Sequence, residues 1–142
     1  MEELTKQAEQ IMVERFGKDT VIALATEGNG MPYVRFVNAF YEDRCFYVIT
    51  HGLSNKMEQI ANNPVVAISG EWFTAHGTAR NLGYWGKEEN AVLAEKLRKA
   101  FAEWIDNGHN DFSDVNTCIL CVELSDGVLL SHGTRYDIDF EK

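Results

Sequence analysis

Two cationic side chains, Arg35 and Lys56, stand where ordinary surface chemistry does not favour them. Arg35 interrupts PYVRFVNAF, a β-branched and aromatic run in which an arginine is costly unless paired or aimed at an anion. Its planar fork suits a phosphate. Lys56 lies in THGLSNKMEQIANNP, which reads as the end of a strand at Thr50, a Gly/Ser/Asn turn and a short helix opening on the lysine. Lysine is poorly placed beside the positive end of a helix dipole. If Asn55 is the N-cap, Glu58 makes a capping-box-like pair with it; if Ser54 is, its hydroxyl serves instead. Either choice surrounds Lys56 with free backbone N–H groups and with hydroxyl or amide side chains, the donors of a phosphate site. Other roles fit the same residues: Lys56 as a solvated surface lysine, and Arg35 as the partner of one of the 22 acidic side chains.

The chain bounds what such a site can serve. Its 142 residues, 45% hydrophobic and 25% charged, suit one globular domain spanning 1–142. Thirteen basic against 22 acidic residues give a formal net charge of −9. Nucleic acids and anionic membranes are poor partners for such a surface. Neither a secretory signal core nor a membrane-spanning apolar run is seen, and the odd cysteine count (Cys45, Cys118 and Cys121) fits a reducing cytoplasm. Cys118 and Cys121 form a CxxC by letter. They lie in the strand-like NTCILCVEL, where side chains three apart face opposite ways, so neither a metal nor a redox role is expected of that motif.

Around the two cations the chain alternates short strands with tight turns. Leu4, Ala8, Ile11, Met12 and Phe16 share a helical spacing that Gly17 ends. DTVIALATE, YVRFVNAFY and CFYVIT then read as three strands, followed by the short helix before Pro64. VVAISGEWF and TAHGTARNL form another pair, and Lys87 to Ile105 reads as one amphipathic helix. NTCILCVEL, a Ser-Asp-Gly turn, GVLLSHG and RYDIDF complete about seven or eight strands. The expected class is mainly β with helices, a barrel of mostly antiparallel strands closed or partly closed to remove its edges.

The order VIALATEGNGMPYVRFVNAFYEDRCFYVIT, SNKMEQIANNPVVAISG and AHGTARNL resembles the pyridoxamine 5'-phosphate oxidase-like, FMN-binding split-barrel proteins from about Asp19 to Leu82. The resemblance implies FMN held near a homodimer interface. Arg35 and Lys56 would grip the flavin phosphate, and Ser54 and Asn55 would add hydrogen bonds. Phe36, Val37, Asn38, Ile49 and Thr50 would flank the ribityl chain and ring, much of it through backbone groups, with barrel core as the plain alternative for Phe36, Val37 and Ile49. The chain ends YDIDFEK, without the Arg-rich segment by which the oxidases of vitamin salvage hold their substrate phosphate. The resemblance is therefore nearer to the small flavin-reductase-like and nitroimidazole-resistance-like members.

His51 neighbours the proposed phosphate, His76 and His132 flank glycines, and His109 reads as loop. Trp72, Phe73, Tyr84 and Trp85 read as packing or dimer contacts. The function expected is a flavin-dependent oxidoreductase passing electrons from reduced nicotinamide to a small acceptor, with no resident dinucleotide fingerprint. The alternative is a non-catalytic store or sensor of haem, deazaflavin or FMN, with His51, His76 or His132 as candidate axial ligands for haem.

Overall fold

The structure, a computed structural model, describes residues 1–142. Its elements are β1 (Glu2–Glu3), α1 (Lys6–Phe16), β2 (Thr20–Gly28), β3 (Met31–Glu42), β4 (Cys45–His51), α2 (Asn55–Asn62), β5 (Val65–Gly70), β6 (Phe73–Tyr84), α3 (Ala91–Ala100), β7 (Thr117–Ser131) and β8 (Thr134–Asp139). The sheet runs β1-β8-β7-β4-β3-β2-β5-β6, and β6 pairs back onto β7, so six of the strands close into a barrel. Closure removes most free edges, except where β3 and β4 pair over only three residues. All ladders are antiparallel except the short β1–β8 pairing. No helix is long and apolar enough to cross a membrane.

Two apolar clusters fill the fold. The larger occupies the barrel interior, where alternate residues such as Ile22, Leu24, Tyr41, Phe46 and Val48 point inward, and α1 adds Ala8, Met12 and Phe16. Thr5 caps α1 by accepting from Ala8 N at 3.1 Å, and Gly17 ends it. The smaller cluster lies outside the barrel, where Leu97 of α3 with Phe101 and Ile105 pack on Trp85 and Ile119.

Three sequence expectations are corrected. The helix expected over Lys87 to Ile105 is divided: a 3-10 turn at Glu88–Asn90 precedes α3, and hydrogen-bonded turns carry Phe101 to Ile105. Asn90 spends its side-chain amide on the carbonyls of Leu82 and Tyr84, at 3.1 and 2.9 Å, instead of capping the helix. The second strand pair turns earlier than expected. Phe73 opens β6, and Trp72, with φ 51°, is the turn residue.

The third correction concerns Ser125-Asp126-Gly127, which makes no turn. β7 runs through it as a single strand of 15 residues. Opposite it the register steps from His76↔Asp126 to Gly77↔Leu124, leaving Ser125 as the extra residue of a bulge. Gly127 is required by closeness: a Cβ there would meet the Phe140 ring at 3.0 Å and the Phe73 ring at 3.1 Å. Gly77 admits the facing backbone likewise, since its Cβ would fall 2.6 Å from the Glu123 carbonyl oxygen.

Candidate functional site

The β3–β4 hairpin carries most of the singled-out residues, and its two strands part company. Asp43 and Arg44, with φ 47° and 68°, form the tight turn, as a hairpin with two left-handed central residues requires. Pairing then covers only Phe40↔Tyr47, Tyr41↔Phe46 and Glu42↔Cys45. Beyond Phe40, β3 stays paired to β2 alone, while β4 stays paired to β7 along its whole length. A wedge-shaped split opens between Arg35–Ala39 on one side and Val48–His51 on the other. In an antiparallel strand alternate backbone groups point to each neighbour, so this stretch of β3 presents N–H and C=O groups to the split.

α2 closes the wide end of that wedge. Ser54 is its N-cap, with Oγ accepting from Met57 N at 3.4 Å, which decides between the two caps the sequence allowed. Asn55 is therefore the first helical residue and Lys56 the second, a correction to the expected helix start. Lys56 Nζ donates to Thr50 Oγ1, and Thr50 is buried. From the other wall, Arg35 Nη1 donates to Thr26 Oγ1 at 2.7 Å and to the Leu24 carbonyl at 3.2 Å, and Nη2 donates to Gln59 Oε1 at 3.3 Å.

Neither cation has a carboxylate partner. The eight ion pairs of the chain engage other residues. Burial and then the charge of Arg35 push the Lys56 ammonium below the usual lysine range. Burial also lowers the Arg35 guanidinium. Two half-buried positive charges, bonded only to neutral oxygens and disfavouring each other, form a site that an anion would relieve. A phosphate fits this donor set, because the guanidinium fork, the ammonium and the start of α2 supply donors from separate elements.

The remaining expected residues fall around the split in different ways. Val37 points inward with Arg35 and packs against the barrel core. Phe36 points outward and is 79% exposed. Asn38 donates its side-chain amide to Asp19 Oδ1 at 3.0 Å, and Asp19 Oδ2 also accepts from Trp104 Nε1 at 2.9 Å. Ile49 lies on the outer wall of β4, packed with the α3 cluster. Only backbone groups of Asn38 and Ile49 are free to serve a ligand in the split. Asn55 is exposed on the first turn of α2.

Thr26 and Gln59 are the residues that sequence reasoning missed. Gln59 lies three positions after Lys56, hence on the same helical face, a spacing that could have flagged it. Thr26 carried no such signal, because its contact with Arg35 depends on the β2–β3 register, Thr26↔Tyr33 and Leu24↔Arg35. The histidines stand apart from the cations. His51 Nδ1 accepts from Leu53 N at 3.2 Å while Nε2 meets Asp114 at 3.4 Å, and His76 meets Asp126 at 2.9 Å on the outer sheet face. His132 occupies the β7–β8 turn with φ 48°. Phe73 and Trp85 are core, Tyr84 bonds the Phe112 carbonyl at 2.7 Å, and Trp72 is 67% exposed.

This arrangement can be set beside known proteins. The family model described as pyridoxamine 5'-phosphate oxidase matches residues 8–125. No curated protein sequence gives a significant match. Among solved structures, a NimC/NimA family protein from Clostridium acetobutylicum superposes with TM-score 0.67 at 19% identity, covering 91% of this chain and 92% of that one. A FAD-binding protein from Mesorhizobium loti gives 0.66 at 15% identity, with 83% and 90% covered. A protein named F420 reductase gives 0.65 at 15% identity, with 81% and 94% covered. At such identities the likeness is one of fold. With the family match extending over most of the sequence, the chain belongs to the pyridoxamine 5'-phosphate oxidase family.

Proposed function

We propose that this protein binds FMN in the split between β3 and β4 and works as a flavin-dependent oxidoreductase, passing electrons from a reduced nicotinamide to a small acceptor. The observation that carries the proposal is the pair of half-buried cations, Arg35 and Lys56, with no carboxylate partner in a chain of net charge −9. Arg35 and Lys56 hold the phosphate, Ser54 and Asn55 add hydrogen bonds, and Thr26 and Gln59 keep the guanidinium in place. The backbone of Phe36, Val37 and Asn38 faces Ile49 and Thr50 across the split, where polar groups of the ribityl chain and ring find donors and acceptors. When bound, the flavin supplies the hydride and electron chemistry. The side chains bind, orient and exclude water, and none of them need exchange a proton. The FAD-binding and F420 reductase names among the structural neighbours support a flavin-type ligand.

The working form is a homodimer in the cytoplasm. Val34 and Phe36, 70% and 79% exposed on the outer face of β3, support a covering second copy, and three free thiols suit a reducing compartment. Light scattering on a size-exclusion column reads the dimer directly, and a monomer at micromolar concentration would remove that part of the reading. The cofactor is tested by the absorbance spectrum of freshly purified protein and by thermal shifts with FMN and with riboflavin. A flavin spectrum, with FMN stabilising far more than riboflavin, is expected. A haem band, or equal response to both flavins, would overturn the phosphate grip and favour the non-catalytic binding protein.

A further inference from the structure

The CxxC spelled by Cys118 and Cys121 is divided by the sheet. Both thiols are buried, but Cys118 faces Gly52, whose Cβ would lie 3.1 Å from its Sγ, while Cys121 is on the outer wall. The outer wall brings Cys121 a different neighbour. Tyr47 of β4 and Arg80 of β6 are its direct partners across the ladders, and directly opposed residues share a face. In the next row of that face Cys45 opposes Glu123, which opposes Thr78. Cys45 and Cys121 are thus diagonal neighbours on adjacent strands.

We infer that Cys45 and Cys121 form a peroxide-sensitive thiol pair, with Cys45 as the thiol that is oxidised first and Cys121 as the thiol that resolves it. Three observations divide the roles. Cys45 is half-buried and reachable, whereas Cys121 is 2% exposed. Cys121 is the diagonal neighbour of Cys45 on the same face, an arrangement in which hydrogen bonding between the two thiols lowers the Cys45 thiol and, with burial, raises that of Cys121. Tyr47 and Arg80 flank Cys121 on its two sides across the ladders, and Arg80 is ion-paired with Glu123. Burial first, and then the charges of Glu123 and Asp43, oppose ionisation of Cys45, and the neighbouring Cys121 thiol offsets them.

The chemistry balances with a hydroperoxide as oxidant. The Cys45 thiolate sulfur bonds the terminal peroxide oxygen, and the O–O bond breaks with its electron pair going to the departing alkoxide or hydroxide, which takes a proton from water. Cys45 becomes a sulfenic acid. Cys121 Sγ then bonds Cys45 Sγ, the S–O bond breaks, and the leaving hydroxide takes the Cys121 proton as water. The product is a cross-strand disulfide, and the peroxide has been reduced to alcohol or water. A diagonal pair on neighbouring strands is wider than an ordinary disulfide span, so closing the bond requires a local shift of the strands, and the strained bond is readily returned by a dithiol.

The test uses hydrogen peroxide on the intact protein, followed by alkylation and peptide mass spectrometry. In C118S a Cys45–Cys121 link within one chain, reversed by dithiothreitol, is expected. No such link, or one between chains instead, overturns the inference. In C121A, peroxide should leave a Cys45 sulfenic acid trapped by dimedone, and alkylation of Cys45 should slow, because the thiolate population falls when its hydrogen-bond donor is removed. An unchanged alkylation rate overturns the role of Cys121. In the wild type, Cys118 should remain reduced after Cys45 has reacted, and equal loss of both would reduce the pair to general thiol oxidation.

Discussion

The two ends of the β3–β4 hairpin use the same strands for opposite purposes. At the turn end the strands pair, and everything polar is matched inside the chain: Tyr41, 1% exposed, donates to Glu9 Oε2 at 2.8 Å and accepts from Arg44 N at 3.1 Å. Around it Phe16, Phe46 and Phe73 pack edge-on or tilted at centroid distances of 5.4 to 6.3 Å. At the split end the ladder is absent, and two cations face neutral oxygens without an anion. The closed end matches its polar groups within the chain, whereas the open end leaves two cations with neutral partners only, the groups to which the proposed ligand binding is assigned. A single hairpin can do both because each end is braced separately, the turn end by α1 and the split end by α2.

The contrast can be broken most strongly at the closed end. Phe46→Ala should cost about 3–5 kcal/mol of stability, as large cavities in aromatic cores do, read as a lowered urea midpoint. Arg35→Ala should do the reverse of this, leaving the midpoint of the ligand-free protein within about 1 kcal/mol while weakening FMN by roughly 100-fold, the equivalent of a lost charge-assisted hydrogen bond or two. Calorimetric titration with FMN and riboflavin checks it, since riboflavin binding should be almost unchanged. If Arg35→Ala instead unfolds the protein, the open end is structural and the contrast fails. Tyr41→Phe, which strips Glu9 and Arg44 N of a partner, should destabilise by about 1–3 kcal/mol without affecting FMN.

A gentler probe sharpens the comparison through pH. The Lys56 pKa is lowered from 10.5 in the folded chain, by burial first and by Arg35 second. Between that lowered value and 10.5 the unfolded chain binds more protons than the folded one, so stability rises with pH across this window. The destabilisation is fully present below the folded pKa and is gone above the unfolded one. Subtracting the urea midpoints of Lys56→Met from those of the wild type should isolate this slope. Bound FMN should abolish it by supplying the missing anion, and a slope insensitive to FMN would separate Lys56 from the phosphate. The smallest effect is at the α2 cap, where Ser54→Ala should cost about 1 kcal/mol and Asn55→Ala much less.

Much of the fold was legible because local patterns carry it. The α1 spacing with Gly17, the three strands after it and the short helix before Pro64 all appear where periodicity and turn residues put them. Those signals fail where a residue's role is set by what crosses over it. Ser-Asp-Gly looks like a turn, yet Gly127 is there to let two aromatic rings approach and Ser125 to form a bulge. At the site, alternation correctly put Arg35 and Val37 on one face and Phe36 and Asn38 on the other. It did not reveal that the Asn38 amide is engaged by Asp19 or that Ile49 lies under α3.

The sequence by itself determined the order of elements from α1 to β5, the family and the presence of two cations placed against the local preferences of strand and helix. These depend on neighbours a few positions apart, which a one-dimensional pattern records. Tertiary structure alone decided that β3 and β4 pair only from Phe40 to the turn, that Thr26 and Gln59 brace Arg35, and that Cys121 lies diagonal to Cys45 on one face while Cys118 faces the other way. Each of those is a matter of register between distant segments. A shift by one residue would turn every side chain of a strand to its other face, and it is the packing of the whole barrel that forbids the shift.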